Sequence, residues 1–337
     1  MLRDQRYEEH IMSVNKILVT GAGGFIGSHL TERLIGLGYK VRAFVHYNSR
    51  SSWGWLEKSS CLNEIDIYSG DIRDFDSVRN ALKGCQEVYH LAALIGIPYS
   101  YESPLAYIKT NIEGTYNVLE NARTFDLGNV IITSTSETYG TAQRVPIAEN
   151  HPLVGQSPYS ASKIAADQLA LSYYHSFQLP VKIVRPFNTY GPRQSARAVI
   201  PTIIGQLLSG KRKLSLGNIF PTRDLTFVKD TVEGFIKISQ SKILAGEITN
   251  IGSGREISIQ NLALEIARIC GKEIELETAE NRARPQNSEV ERLLCDNTKI
   301  VKNTDWRPAY SLTQGLNETI NWIKDNIDFC KPDFYLK

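Results

Sequence analysis

Three short clusters of side chains carry most of the chemistry in this chain: Thr135-Ser136-Glu137, Tyr139-Gly140, and Tyr159-Ser160-Ala161-Ser162-Lys163. A tyrosine four residues ahead of a lysine on a helix shares one face with it, and an ammonium beside a phenol favours the phenolate. The spacing therefore predicts a base for a hydroxyl group, with the Tyr159 pKa drawn toward neutrality by Lys163. The Ser136-Glu137 pair adds a second proton-transfer function, which simple alcohol oxidation does not need.

These groups need a scaffold, and the start of the chain supplies its first element. Lys16 to Thr20 reads as a buried strand, followed by Gly21-Ala22-Gly23-Gly24-Phe25-Ile26-Gly27 and a helix to about Gly36. In this turn Gly21 allows the sharp bend, Gly24 lets the backbone approach a pyrophosphate at the helix N-terminus, and Gly27 permits close helix–strand packing. A glycine turn between a strand and a helix, at the start of a βαβ pattern, points to dinucleotide binding through Gly21, Gly24, Phe25, Ile26 and Gly27.

The second strand, from Lys40 to Val45, ends where an NAD enzyme usually places a carboxylate on the adenosine ribose. Here the chain reads His46-Tyr47-Asn48-Ser49-Arg50 instead. Arg50, with His46 and Asn48, suits a 2′-phosphate, which favours NADP; plain NAD, with these groups solvated, stays open. Asp71 and Ile72 follow a third strand and are placed to meet the adenine edge, although Asp71 could equally cap the helix starting near Asp74. A fourth strand, Val88 to Ala93, ends in Leu91, Ala92 and Ala93, small enough for the main chain to reach the cofactor. His90 in this strand reads as a packed residue rather than a ligand. Amphipathic helices are expected from about Pro104 to Arg123 and from Ser160 to Phe177.

Composition narrows the setting. At 337 residues the chain has room for one large α/β domain or two lobes. No window approaches the run of about 18 apolar residues that a spanning helix needs, and residues 1–11 are too charged for a signal peptide. Those residues are expected to be a flexible leader, and the protein cytoplasmic. A net charge of +2 gives no general reason to bind nucleic acid. The five cysteines lie far apart without a CxxC, which fits reduced thiols, and no His or Cys pair has metal-ligand spacing.

Taken in order, Thr20 to Gly27, Asp71, Leu91 to Ala93, Thr135 to Gly140 and Tyr159 to Lys163 resemble the extended short-chain dehydrogenase/reductase superfamily, over nearly all of the chain after residue 14. Within it, Ser134-Thr135-Ser136-Glu137-x-Tyr139-Gly140 resembles the signature of nucleotide-sugar 4,6-dehydratases, most closely the GDP-mannose type. UDP-glucuronate decarboxylases share Thr-Ser-Glu, while 4-epimerases usually lack a carboxylate where Glu137 stands. Arg185 to Arg193 is similar to the family loop whose Asn, here Asn188, contacts the substrate diphosphate. Arg223-Asp224-Leu225-Thr226-Phe227-Val228 resembles the segment whose Arg clamps a phosphate. Arg284-Pro285 with Ser288 to Asp296 is similar to the segment that closes on the nucleotide. Bidentate guanidinium contacts make Arg193, Arg223 and Arg284 sound candidates at a diphosphate.

The resemblance implies a doubly wound parallel Rossmann sheet of seven strands with a smaller C-terminal α/β substrate lobe. Residues 12–187 with 224–252 would form the first and 188–223 with 253–330 the second, with the active site in the cleft between. It also implies a homodimer in which the two long amphipathic helices form a four-helix interface, unless their apolar faces are core. The implied reaction has Tyr159 taking the O4 proton of a hexose, Lys163 favouring the phenolate and holding the ribose, Thr135 bonding O4, and Glu137 removing the C5 proton. Ser136 or Glu137 would deliver the proton that lets the C6 hydroxyl leave as water. The Tyr89 to Ser100 stretch looks most like enzymes acting on GDP- or UDP-linked N-acetylglucosamine. A UDP-glucuronate decarboxylase would need a basic group for the substrate carboxylate, and the sequence shows no clear candidate.

Overall fold

The computed structural model describes residues 15–279, 285 and 288–329. Residues 1–14, with the expected leader, and Arg284 lie outside the described residues. Seven strands form one sheet: β1 (Lys16–Thr20), β2 (Lys40–His46), β3 (Ile65–Gly70), β4 (Glu87–His90), β5 (Asn129–Thr133), β6 (Val181–Pro186) and β7 (Ile248–Ile251). Their spatial order is β7-β6-β5-β4-β1-β2-β3, and every pairing is parallel. The order reverses between β1 and β4, which opens a crevice at their carboxyl ends.

Alternation along the strands builds two cores, because successive side chains leave opposite faces. Ile17, Val19 and Ile131 join one buried cluster with Leu30 and Leu34 of α1 (Phe25–Gly36) and Phe235 of a later helix, Val228–Gln240. Leu18, Val130 and Ile132 join the other, with Val78 and Leu82 of α2 (Phe75–Leu82), Val118 and Ala122 of α3 (Gly114–Thr124), and Ala170 of α4 (Pro158–Phe177). Both faces of the sheet are covered, and the central strands β1 and β5 are accordingly almost wholly apolar and buried.

A second, four-stranded sheet is centred on Thr222–Phe227, which pairs with Asn188–Tyr190, Glu256–Ser258 and Arg292–Leu293. Residues 224–227, which the sequence reading grouped with the large sheet, are the C-terminal part of this central strand. The chain then crosses to the large sheet through Val228–Gln240 and β7. A pair of parallel strands, Lys213–Leu216 and Glu275–Thr278, completes the smaller part.

The helical stretch before α3 differs from a plain amphipathic helix. Between a short turn at Pro104–Tyr107 and α3, residues Ile108–Glu113 form a wider π-helical turn. Such turns re-aim side chains and recur at functional sites. Here it carries Asn111, which is buried and bonds both the amide and the carbonyl of Leu94, at 2.8 and 3.0 Å.

Candidate active site

A cleft of about 1620 Å³ runs from the glycine turn past the carboxyl ends of β1, β4 and β5 to the second sheet. The helix bearing Tyr159 and Lys163 is started by a reciprocal cap. Ser157 Oγ accepts from the Ser160 N–H at 3.1 Å, Ser160 Oγ accepts from the Ser157 N–H at 3.0 Å, and Pro158 takes the first helical position. With the first turn fixed, Tyr159 and Lys163 face the same cleft one turn apart, and both are buried. Asn111 donates to Ser162 Oγ at 2.9 Å, and Ser162 Oγ donates to the Tyr159 carbonyl at 2.7 Å, so the π-helical turn braces the turn that carries Tyr159 and Lys163. The Tyr107 ring meets Tyr159 edge-on at 6.2 Å, its hydroxyl donating to the Gly96 carbonyl.

Thr135, Ser136 and Glu137 form the opposite wall. β5 ends at Thr133; Thr135 is extended and its hydroxyl accepts from the Glu137 N–H at 3.3 Å, starting a tight turn over Ser136–Tyr139. The Thr135 hydroxyl and the Glu137 charge both act on the Tyr159 phenol. The structure thus brings all five predicted catalytic residues to one stretch of the cleft.

Electrostatics at this point depart from the sequence expectation. Burial pushes the Tyr159 phenol above its ordinary value; the hydrogen bond from Thr135 works against this, while Glu137 reinforces it. Burial also lowers the Lys163 ammonium, with Asp167 opposing. Lys163 therefore does not draw Tyr159 toward neutrality in this state, because both groups have lost water and desolvation penalises each charged form. A further cation bound against Tyr159 would favour the phenolate.

The glycine turn fits a dinucleotide. Gly21 has φ +70°, and a Cβ there would lie 2.8 Å from the Ala92 amide nitrogen. A Cβ on Gly27 would lie 2.1 Å from the Gly21 carbonyl oxygen, so helix and strand touch through backbone. On Gly24 it would meet only Gly21, leaving the cleft side open to a ligand. α1 carries no side-chain cap and no acid in its first turn, so its first amide groups remain to receive an anion. Phe25, Ile26, Leu91, Ala92 and Ala93 line the same space.

At the adenosine end the predicted residues divide. His46, Asn48, Asp71 and Ile72 line the cleft, but Arg50 does not. The Asn48 side chain accepts from the Arg50 and Ser52 amides and donates to the His46 and Ser52 carbonyls, a turn that leaves Arg50 exposed. Asp71 pairs with Arg73 and accepts its N–H at 2.9 Å, whereas Asp74 caps α2. His90 is a core residue: fully buried between Thr20 Oγ1 at 2.8 Å and Thr115 Oγ1 at 3.1 Å, its pKa driven down to about 3 by burial.

At the far end, Asn188 Oδ1 is buried at the cleft without a hydrogen-bond partner. Arg223 is buried, donates to the Thr222 carbonyl at 2.9 Å and pairs with Glu289 at 3.3 Å. Arg193 is engaged by Glu32 of α1 through two contacts of 3.0 Å. Sequence reasoning missed Tyr107, Asn111 and Arg197, which sits at this cleft beside Gly96 and Tyr107. No local pattern marks them, since each reaches the site through tertiary packing.

Among the described residues no helix is long and apolar enough to cross a membrane, and no group of three or more His, Cys, Asp or Glu could hold a metal ion. The four described cysteines are free thiols.

Comparison with known proteins gives this geometry a family. The family model for GDP-mannose 4,6 dehydratase matches residues 18–319. A UDP-N-acetyl-alpha-D-glucosaminuronate decarboxylase of Bacillus cytotoxicus is 34% identical, covering 92% of this chain and 98% of that one. The crystal structure of dTDP-glucose 4,6-dehydratase from Bacillus anthracis with NAD superposes with a TM-score of 0.83 at 29% identity, over 94% of this chain and 99% of that one. UDP-glucuronic acid 4-epimerase from Bacillus cereus, in complex with UDP-glucuronic acid and NAD, gives 0.84 at 30%, over 92% and 99%. These matches show that the chain belongs to the GDP-mannose 4,6 dehydratase family, within the NAD-dependent nucleotide-sugar dehydratases, epimerases and decarboxylases of the extended short-chain dehydrogenase/reductase superfamily.

Proposed function

We propose that the protein is a nucleotide-sugar 4,6-dehydratase, a lyase that converts an NDP-hexose into its 4-keto-6-deoxy form, with GDP- or UDP-N-acetylglucosamine as the preferred substrate. The observation that carries this reading is the position of Glu137, a carboxylate in the same cleft as Thr135 and Tyr159 and close enough to act on the Tyr159 phenol. Inversion at C4 uses no such group. Elimination of water across C5 and C6 does, because a proton must leave C5.

The division of labour follows from the side chains. Thr135 orients the O4 hydroxyl and Tyr159 accepts its proton, with Lys163 offsetting the charge. Glu137 takes the C5 proton, which the adjacent ketone makes acidic. Ser136 lies on the same turn and relays the proton that departs with the C6 oxygen, or Glu137 returns it. A nicotinamide dinucleotide in the glycine cradle supplies the reversible oxidation, and its oxidised ring is a cation that favours the Tyr159 phenolate. NAD is the better reading of the two cofactors: relatives are solved with NAD, and Arg50, the group put forward for a 2′-phosphate, stands outside the cleft. Asn188 and Arg223 are placed for the diphosphate. We also propose a cytoplasmic homodimer, its four-helix interface built from α3 and α4 and the turn before them, where Leu105, Ile108, Tyr116 and Phe177 are exposed.

One observation favours a second reading. Arg197 supplies at the sugar end of the cleft a cation that a uronate carboxylate would use, so UDP-glucuronate decarboxylation is the alternative. Incubation with GDP-GlcNAc, UDP-GlcNAc, GDP-mannose and UDP-glucuronate, with products weighed by mass spectrometry, separates them. Loss of one water is expected with an N-acetylglucosamine nucleotide; loss of carbon dioxide, or inversion without mass change, would replace the dehydratase reading.

A further inference from the structure

Directly behind the catalytic wall lies an ion pair with no access to solvent. Arg185 of β6 and Asp167 of α4 are both fully buried, 2.6 Å apart. A buried pair of this kind costs desolvation and is weak evidence of stabilisation by itself, so its contacts indicate what it is for.

Those contacts reach both ends of one short segment. At the N-terminal end, Ser134 Oγ donates to the same Asp167 oxygen at 2.5 Å and accepts from Arg185 Nε at 3.3 Å. At the C-terminal end, the Arg185 guanidinium lies over the Tyr139 ring at 4.6 Å, and the Tyr139 hydroxyl donates to Asn250 Oδ1 at 2.8 Å. Between them stand Thr135, Ser136 and Glu137. Asp167 also belongs to the helix that carries Tyr159 and Lys163, eight and four residues ahead of it, so the pair joins the two catalytic walls from behind.

We propose that the Asp167–Arg185 pair is a positioning element that clamps the Ser134–Tyr139 segment at both ends and so sets the distances of Thr135 and Glu137 from Tyr159. This deepens the preceding reading but does not depend on water loss, since Thr135 and Tyr159 serve any C4 oxidation in this fold. The clamp acts on the rate of the chemical steps, through reach and orientation, and leaves nucleotide binding at the far end of the cleft alone. Asp167 Oδ1 and Arg185 Nη1 have no hydrogen-bond partner, so the ion pair keeps polar capacity unused while serving this geometry.

The test uses three full-length variants assayed for whichever reaction the wild type performs: Ser134→Ala, Tyr139→Leu and Tyr139→Phe. The clamp predicts that Ser134→Ala and Tyr139→Leu each lower kcat at least about tenfold with KM within about twofold, while Tyr139→Phe, which keeps a ring for the guanidinium, stays within about threefold of wild type. If Ser134→Ala and Tyr139→Leu keep wild-type kcat, or if Tyr139→Phe falls as far as Tyr139→Leu, the clamp is wrong. Should Tyr139→Leu fail to fold, Ser134→Ala, which leaves the ion pair whole, decides alone. A wild type that inverts C4 instead of losing water overturns the dehydratase reading and leaves this comparison intact.

Discussion

Two regions of the cleft are built in opposite ways. The proposed reacting region is drawn mainly from residues 133–163, held by a helix cap, a strand end and a buried ion pair. The far end, which we propose holds the substrate diphosphate, is lined by Asn188, Arg223, Pro285 and Glu289, which come from well-separated parts of the chain. Its arginines already hold carboxylates, Arg193 with Glu32 and Arg223 with Glu289. On the proposed roles, reaction chemistry would depend on local order, whereas nucleotide binding would depend on packing between distant segments. Substitutions in the first region should change kcat, and those in the second KM.

The sharpest break in that contrast comes from Tyr159→Phe, which removes the proton acceptor and keeps the ring against Tyr107. Its kcat should fall about 10³-fold with little change in KM, measured by steady-state turnover. A KM effect of that size would place Tyr159 in binding instead. Arg223→Met probes the other end: losing a charge-assisted contact to a diphosphate costs about 1.5–3 kcal/mol, so KM should rise tenfold or more while kcat changes little. Equal loss in both parameters would erase the distinction.

A smaller effect tests the packing beneath the cofactor end. His90 is held at about 3 against an ordinary 6.5, so the folded state favours its neutral form. A group with a depressed folded pKa contributes its full stability above pH 6.5, and loses it as pH falls from 6.5 toward 3. The His90 contribution should therefore weaken by about 1.4 kcal/mol for each pH unit in that window. Urea unfolding of wild type and His90→Gln at pH values above and within the window should show the steeper decline in the wild type; parallel slopes would place the imidazole in water.

How much of this was legible follows the same division. Lys16–Thr20 and the glycine turn can be read directly, because a fully buried parallel strand is a short apolar run and the turn admits no side chain at Gly21 or Gly27. The Tyr159–Lys163 helix is legible from spacing, although it is expected to start at Ser160 and begins at Pro158 behind the Ser157 cap. Their protonation was not, since the sequence shows the neighbouring charge but not the burial that outweighs it. Asp167 follows Lys163 by four residues, but no sequence pattern singles it out, and its Arg185 partner comes from a separate strand. Arg50 shows the converse failure: its residue type suits a phosphate, but the Asn48 turn leaves it outside the cleft.

The central claim is that a carboxylate and a phenol in one cleft perform separate proton transfers on one hexose. Single turnover by Glu137→Gln, with the nucleotide sugar that the wild type consumes, tests it most directly. Absorbance of reduced nicotinamide should appear and persist, with no loss of water in the mass spectrum of the sugar. Water loss at the wild-type rate, or no reduction at all, would contradict the account.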